Sequence, residues 1–240
     1  MKRPEIVRNF LIAAVIILHL NLSKTQKLML GHPETLPTDT MTILGITVDK
    51  SGGFNNHNAR VTSDLRKRLG MIRQLSVQLP RGRLLGEIGH SLIVGRLQSS
   101  AFVTRAARLN SDSCDDKGPA QVVLNDFARL LIGTRRADHI RATDLMDQAR
   151  IQTVNEIVVR QSATMAWRAN NGNALEDVLE PYDGRTRGAT KDMRKAVSQR
   201  CLPAVNMCKI WNSSEALRNA KSLNEAKSIA RKMATEARHA

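Results

Sequence analysis

Aromatic side chains are nearly missing from this sequence: two Trp, one Tyr and four Phe make up 3% of its 240 residues. Platforms on which single-stranded bases could stack are therefore scarce, and any recognition of nucleic acid has to run through charge. Cysteine is scarce too. Cys114, Cys201 and Cys208 are too few and too widely spaced for a disulfide framework or a zinc knuckle, so they read as reduced and structural. His19, His32, His57, His90, His139 and His239 lie too far apart for metal-ligand spacing. No Gly-rich phosphate loop is present, because "KSGGF" lacks the Lys-Ser ending that such a loop needs. The long apolar run of a membrane span is also lacking. "LIAAVIILHL", residues 11 to 20, is about half the ~20 residues required. Lys2, Arg3 and Arg8 ahead of it imitate a signal peptide, but no small-x-small cleavage site follows in "HLNLSKTQ". Composition leaves a targeting segment and a core helix both open.

Positive charge is what the chain has in excess: 37 Lys and Arg against 22 Asp and Glu, a formal +15 and a pI near 10.6. That balance favours a polyanionic partner, nucleic acid or an anionic membrane. The excess is uneven. Residues 60–110 hold ten basic and two acidic side chains and residues 185–240 hold thirteen and four, whereas residues 111–184 hold eight and twelve. Two basic blocks flanking an acidic one suit a binder with a local footprint better than a uniformly solvated surface.

Periodicity divides the chain further. Residues 4–20 read as one apolar helix. "TMTILGITVDKSGGF" has β-branched residues around Gly45 and reads as one short strand leading into a turn, with residues 26–30 as its partner. From Asn58 the period becomes helical, with Val61, Leu65, Leu69, Ile72 and Leu79 on one face and Arg66, Lys67, Arg68 and Arg73 mainly off it. A second helix carries Leu85, Ile88, Leu92 and Val103, with Gly86, Gly89 and Gly95 allowing close approach. "NSDSCDDKGP" is a polar loop, and its Asp112, Asp115 and Asp116 lack the apolar strand flanks that would hold a metal site rigid. Pro119 starts a third helix with Val123, Phe127, Leu130 and Leu131 on one side, and Gly133 stops it. Arg135, Arg136 and Arg141 lie in a connector, Thr143 caps a short helix, and a longer helix runs from Val154 to Ala169. Residues 171–200 read as loosely held. Trp167 and Trp211 read as core anchors, and the chain closes on a basic amphipathic helix.

The series "LNLSKTQKLMLG", "ILGITVDKSGGFNNHN", "LRKRLGMIRQL", "KIWNSS" and "SLNEAKSIARK" resembles, in order and spacing, the C-terminal part of the reverse transcriptases of non-LTR (LINE-like) retrotransposons. The resemblance covers residues 12 to 235. It implies that Asn21, Lys24 and Thr25 stand in the segment that closes the palm, Leu44, Gly45 and Asp49 in a primer-grip hairpin, Leu69 and Gly70 in the first thumb helix, and Trp211 and Asn212 in the terminal segment. "WNSS" departs from the family's "WNxLP". A larger departure is that the sequence contains none of the metal-binding carboxylates of the catalytic palm strands, which on this resemblance precede Met1.

The expected fold is mainly α with a small β-hairpin: a palm remnant with a primer-grip-like hairpin over residues 1–57, a helical thumb-like domain over 58–136 and a helical region over 137–240. The expected function is binding of an RNA–DNA hybrid or duplex nucleic acid, in a fragment resembling an RNA-directed DNA polymerase without catalytic activity. Lys24, Arg66, Lys67, Arg68, Arg73, Arg81, Arg83, Arg96, Arg135 and Arg136 are the expected phosphate contacts, which fix position without reading sequence. No cofactor is expected in this chain, Mg²⁺ belonging to an intact parent enzyme, and no small-molecule ligand. The expected compartment is cytoplasm or nucleus. The rival reading is a membrane-anchored or secreted basic interaction protein with residues 11–20 as its signal core.

Overall fold

The computed structural model describes residues 40–43, 45–49, 53–107, 109, 118–172, 178–182, 192–199 and 201–239. The apolar run 11–20, the proposed strand at 26–30, Asn21, Lys24, Thr25, Leu44 and the acidic loop with Asp112, Asp115 and Asp116 lie outside these residues. The architecture is mainly helical with a small antiparallel hairpin.

The hairpin corrects the reading of one strand paired with residues 26–30. β1 (Thr40–Ile43) and β2 (Ile46–Asp49) pair with each other, Thr40 opposite Asp49 and Ile43 opposite Ile46. Only two residues connect them, and Gly45 takes φ +84°, a left-handed conformation that costs glycine nothing. β-propensity is similar on both sides of Gly45, so composition alone does not show that the chain doubles back there.

α1 (Asn55–Gln78) is the longest described helix and begins three residues before the expected start. Val61, Leu65, Leu69 and Ile72 are buried at the spacing the sequence shows. Leu79 leaves the helix in an extended conformation ahead of Pro80, as a residue before proline must.

The next helix is less regular. α2 runs through Arg83–Gly89, a π-helical turn His90–Val94 and Gly95–Gln98. The π turn inserts an extra residue, so the buried face shifts to Ile93, Val94 and Leu97, while Ile88 and Leu92 are only half-buried. Val103, expected on this helix, belongs to the separate turn α3 (Ala101–Thr104).

α4 (Pro119–Ile132) has Pro at its start and ends on Gly133 at φ +79°, whose N–H reaches the Arg129 carbonyl. Its buried face is Gln121, Val123, Leu124, Phe127 and Ala128, so Leu130 and Leu131 are peripheral rather than central. Thr143 does not cap α5 (Ala142–Ala149): Arg141 is the cap, and Thr143 sits inside the first turn, bonded to Asp144.

α6 (Val154–Asn170) is the hub. Thr153 and Glu156 close a reciprocal capping box at its start, and Gln121 Oε1 accepts from the Val154 N–H at 2.9 Å, so donors that a helix start leaves orphaned are satisfied. α7 (Leu202–Ser213), α8 (Glu215–Arg218) and α9 (Leu223–His239) follow, and α9 against α6 is the most extensive pairing among the described elements. Ala226, Ala230 and Ala234 are buried at every fourth position of α9, and this small-residue stripe lets the two axes come close. Within the region read as loosely held, β3 (Leu179–Pro181) pairs with β4 (Arg194–Ala196). One hydrophobic cluster joins α1, α2, α4, α6, α7 and α9.

Gly89 meets Phe127 at the centre of this cluster. A Cβ there would fall 2.2 Å from Phe127 Cε2, on a ring with no exposure. Gly89→Ala is expected to lower the urea unfolding free energy by about 1–3 kcal/mol, the range for overpacking. The same substitution in a Phe127→Leu background should cost much less. Equal costs in both backgrounds would contradict the contact.

Candidate nucleic-acid interface

The hairpin is fastened to the first turns of α1. The Thr47 N–H donates to His57 Nδ1 at 3.3 Å, Asn56 Nδ2 donates to Asp49 Oδ1 at 2.8 Å, and the Arg60 guanidinium donates to the Gly45 carbonyl. Gly45 and Asp49 thus stand beside the N-terminal half of the basic helix. His57 has no exposure, and its Nε2 has no hydrogen-bond partner. Burial, with Arg60 and Arg96 nearby, lowers its pKa, so the ring is neutral and can accept from Thr47.

Along α1 the side chains separate by direction. Leu69 is buried, Gly70 half-buried, and Arg66, Lys67 and Arg73 exposed. Arg66 and Lys67 make no ion pair or hydrogen bond among the described residues. With Arg60 and Arg73 they form two rows, Arg60 with Lys67 and Arg66 with Arg73, each spanning two turns or about 10 Å. Arg68 turns inward instead, donating to the Leu92 carbonyl at 3.1 Å, and ties α1 to α2. Arg96 faces Asp64 at 3.6 Å.

The lower end of the face is built around a residue that the sequence reading passed over. Asp126, on α4, has a side chain only 13% exposed and receives three arginines: Arg136 through two bonds of 3.1 and 2.6 Å, and Arg73 and Arg129 at 3.5 Å each. One carboxylate cannot neutralise three guanidiniums, so the group stays net positive, with the Arg136 fork held by two bonds and Arg73 and Arg129 drawn close. Asp126 raises the Arg136 pKa by hydrogen bond and charge. Arg81 closes in from the α1–α2 turn, its Nη1 lying 2.5 Å from where a Cβ on Gly133 would be. Arg135 is exposed next to Arg136, its own N–H held by Asp138 at 2.6 Å. Arg83 pairs with Glu87 at 2.6 Å, but both are well exposed, and such a pair fixes little.

Trp211 and Asn212 are structural. Trp211 is buried and donates to the Asp192 carbonyl at 2.8 Å, and Asn212 holds both the N–H and the carbonyl of Arg194 at 2.8 Å, locking β4 onto α7. Trp167 likewise donates to the Ala220 carbonyl at 3.0 Å. Cys208, its thiol pushed up by burial, donates to the Arg194 carbonyl, whereas Cys201 is exposed, so only one of this pair has a structural role. No group of three or more His, Cys, Asp or Glu side chains that could hold a metal ion occurs among the described residues.

Compared with protein-family models, curated proteins and solved structures, the chain matches none.

Docking of the hairpin should depend on pH through His57. Below about pH 6.5 the unfolded chain binds a proton at this ring that the folded chain resists, so stability falls as pH drops from 7.5 to 5.5. The protection of the Thr47 amide, its exchange rate measured relative to the intrinsic rate at each pH, should fall over the same interval, and His57→Gln should flatten both trends. An unaltered pH dependence in that variant would contradict the assignment.

Proposed function

We propose that this chain binds double-stranded nucleic acid, an RNA–DNA hybrid foremost, through phosphate contacts, as the resemblance to the thumb of LINE-like reverse transcriptases implies. In this reading it binds without polymerase activity of its own, in the cytoplasm or nucleus. The observation that carries the reading is the convergence of Arg73, Arg129 and Arg136 on Asp126, together with Arg66 and Lys67, on the same helix as Arg73, which are exposed and have no partner among the described residues. Three guanidiniums gathered around one carboxylate leave a local excess of positive charge with donors to spare, which suits phosphate oxygens. Contacts of this kind hold a duplex in register and do not select sequence. The rival of a membrane-anchored or secreted protein rests on residues 11–20, outside the described ones; no described helix is long and apolar enough to cross a membrane.

The nine expected cations that lie among the described residues differ in what the structure does with them, and the variants below exploit that difference. Affinity for a hybrid duplex should fall steeply with salt, by about 0.9 in log K per log unit of salt for each phosphate neutralised, taking the B-DNA value as a guide. Arg66→Ala with Lys67→Ala should reduce that slope by about 2 while leaving the melting temperature unchanged. Arg68→Ala should lower the melting temperature and leave the slope nearly unchanged, since Arg68 serves the Leu92 carbonyl. A slope unaltered in the double variant would sink the reading, and primer extension on an RNA template with Mg²⁺ would overturn the absence of polymerase activity.

A further inference from the structure

A second group of cations lies between α6 and α9, apart from the α1 face. Arg238, near the end of α9, is docked on Glu156 at the start of α6, with Nη2 2.7 Å from Oε2. Lys227, Arg231 and Arg238 recur at intervals of four and seven and so share one face of α9, while Glu156, Arg160 and Thr164 recur every four residues on α6. The two helices run antiparallel, so docking Arg238 on Glu156 brings Arg231 and Lys227 alongside Arg160. Together they border a cavity of about 380 Å³.

The charges around this cavity are not balanced. Arg160, Lys227 and Arg231 take part in no ion pair among the described residues. Glu156 acts on Arg160, but its carboxylate is already bonded to Arg238 and to the Thr153 N–H. Burial, and then the neighbouring Arg231, lower the Arg160 pKa, so holding these cations together works against the fold. Phe102 and Met165 supply apolar wall. Gln161 gives its Nε2 to the Gln98 carbonyl and leaves Oε1 buried with no partner. Thr164 donates to the Arg160 carbonyl at 2.9 Å and keeps its acceptor capacity.

We propose that this cavity is a binding site for an organic phosphate with a ring or comparable apolar body and a hydroxyl or N–H donor, the composition of a nucleotide. The phosphate lies against Arg160, Lys227 and Arg231, the ring against Phe102 and Met165, and a donor reaches Gln161 Oε1. Three cations suit a phosphate monoester, which carries more than one negative charge near pH 7, better than a carboxylate. The sequence alone led us to expect no small-molecule ligand, because these three cations come together only when α9 folds back on α6.

Calorimetric titration with adenosine 5′-monophosphate, adenosine and inorganic phosphate tests this. The monophosphate should bind at least about tenfold more tightly than either half, one charge-assisted contact being worth that much. Arg160→Met and Arg231→Gln should each weaken it about tenfold or more, while Arg160→Met leaves the melting temperature unchanged or raises it, because it removes a half-buried cation that sits beside Arg231. Retained melting temperature with lost binding separates a ligand site from a structural role. Displacement of the monophosphate by a 5′-phosphorylated dinucleotide assigns the site to strand ends as well as free nucleotides; no displacement assigns it to free nucleotides. Inorganic phosphate binding as tightly as the monophosphate, binding undiminished in both variants, or no binding at all would overturn the proposal. The site shares no residue with the α1 face, so its failure leaves the duplex reading standing.

Discussion

The buried carboxylate of Glu156 is the constraint on which the helical arrangement depends. At 3% exposure it cannot stay charged without a partner, and the fold answers with the Arg238 guanidinium, the Thr153 N–H and the start of α6 all on the same group. Burial disfavours the charge on Arg238, and Glu156 and Asp147 more than offset this, so its pKa is raised. Arg238 also donates to the Ile151 carbonyl at 2.8 Å, so one side chain near the C-terminal end holds α5, the α5–α6 connector and α6. Removing one member of such a pair typically costs about 3–5 kcal/mol, because the other is left buried and uncompensated. The alanine stripe of α9 sets how close the two helices come, and the ion pair sets their register.

The fold distributes a large positive excess unevenly. Some cations are absorbed: Arg68 by a carbonyl of α2, Arg238 by Glu156, Lys209 by the Ala107 carbonyl at 2.9 Å. Others are left over in two places, the α1 face with the Asp126 group, and the α6–α9 cavity. A chain that gathers like charges rather than dispersing them accepts self-repulsion, and a polyanion or a phosphate relieves it. Both proposals rest on this one physical argument, applied to different residues.

Much of this was readable from residue spacing where helices bury a simple stripe. Val61, Leu65, Leu69 and Ile72 fixed the buried face of α1, and Pro119 and Gly133 bounded α4. The readings failed where a side chain answers a distant partner. The π turn of α2 shifts a face by one residue with no local mark. The turn at Gly45 is hidden among β-branched residues, so propensity gave a single strand there. β3 and β4 are three residues each and carry Glu180 and Lys195, so charge concealed them. Asp126 looked like any helix carboxylate, because the arginines it collects come from α1, α4 and the turn after α4. Gln121, His57 and Asn206 are buried polar residues whose work is to satisfy backbone groups remote in sequence; Asn206, for instance, bonds to Ala107, Phe102 and Arg105.

The central claim is that a nucleic-acid duplex lies on α1. Lys67 is exposed there, and Lys221, just before α9, is exposed as well. Acetylation of both lysines, followed by mass spectrometry with and without an RNA–DNA hybrid at low salt, tests the claim most directly. The account predicts that the hybrid protects Lys67 and leaves Lys221 reactive, with protection fading as salt rises. Bound hybrid with Lys67 as reactive as in its absence would contradict it.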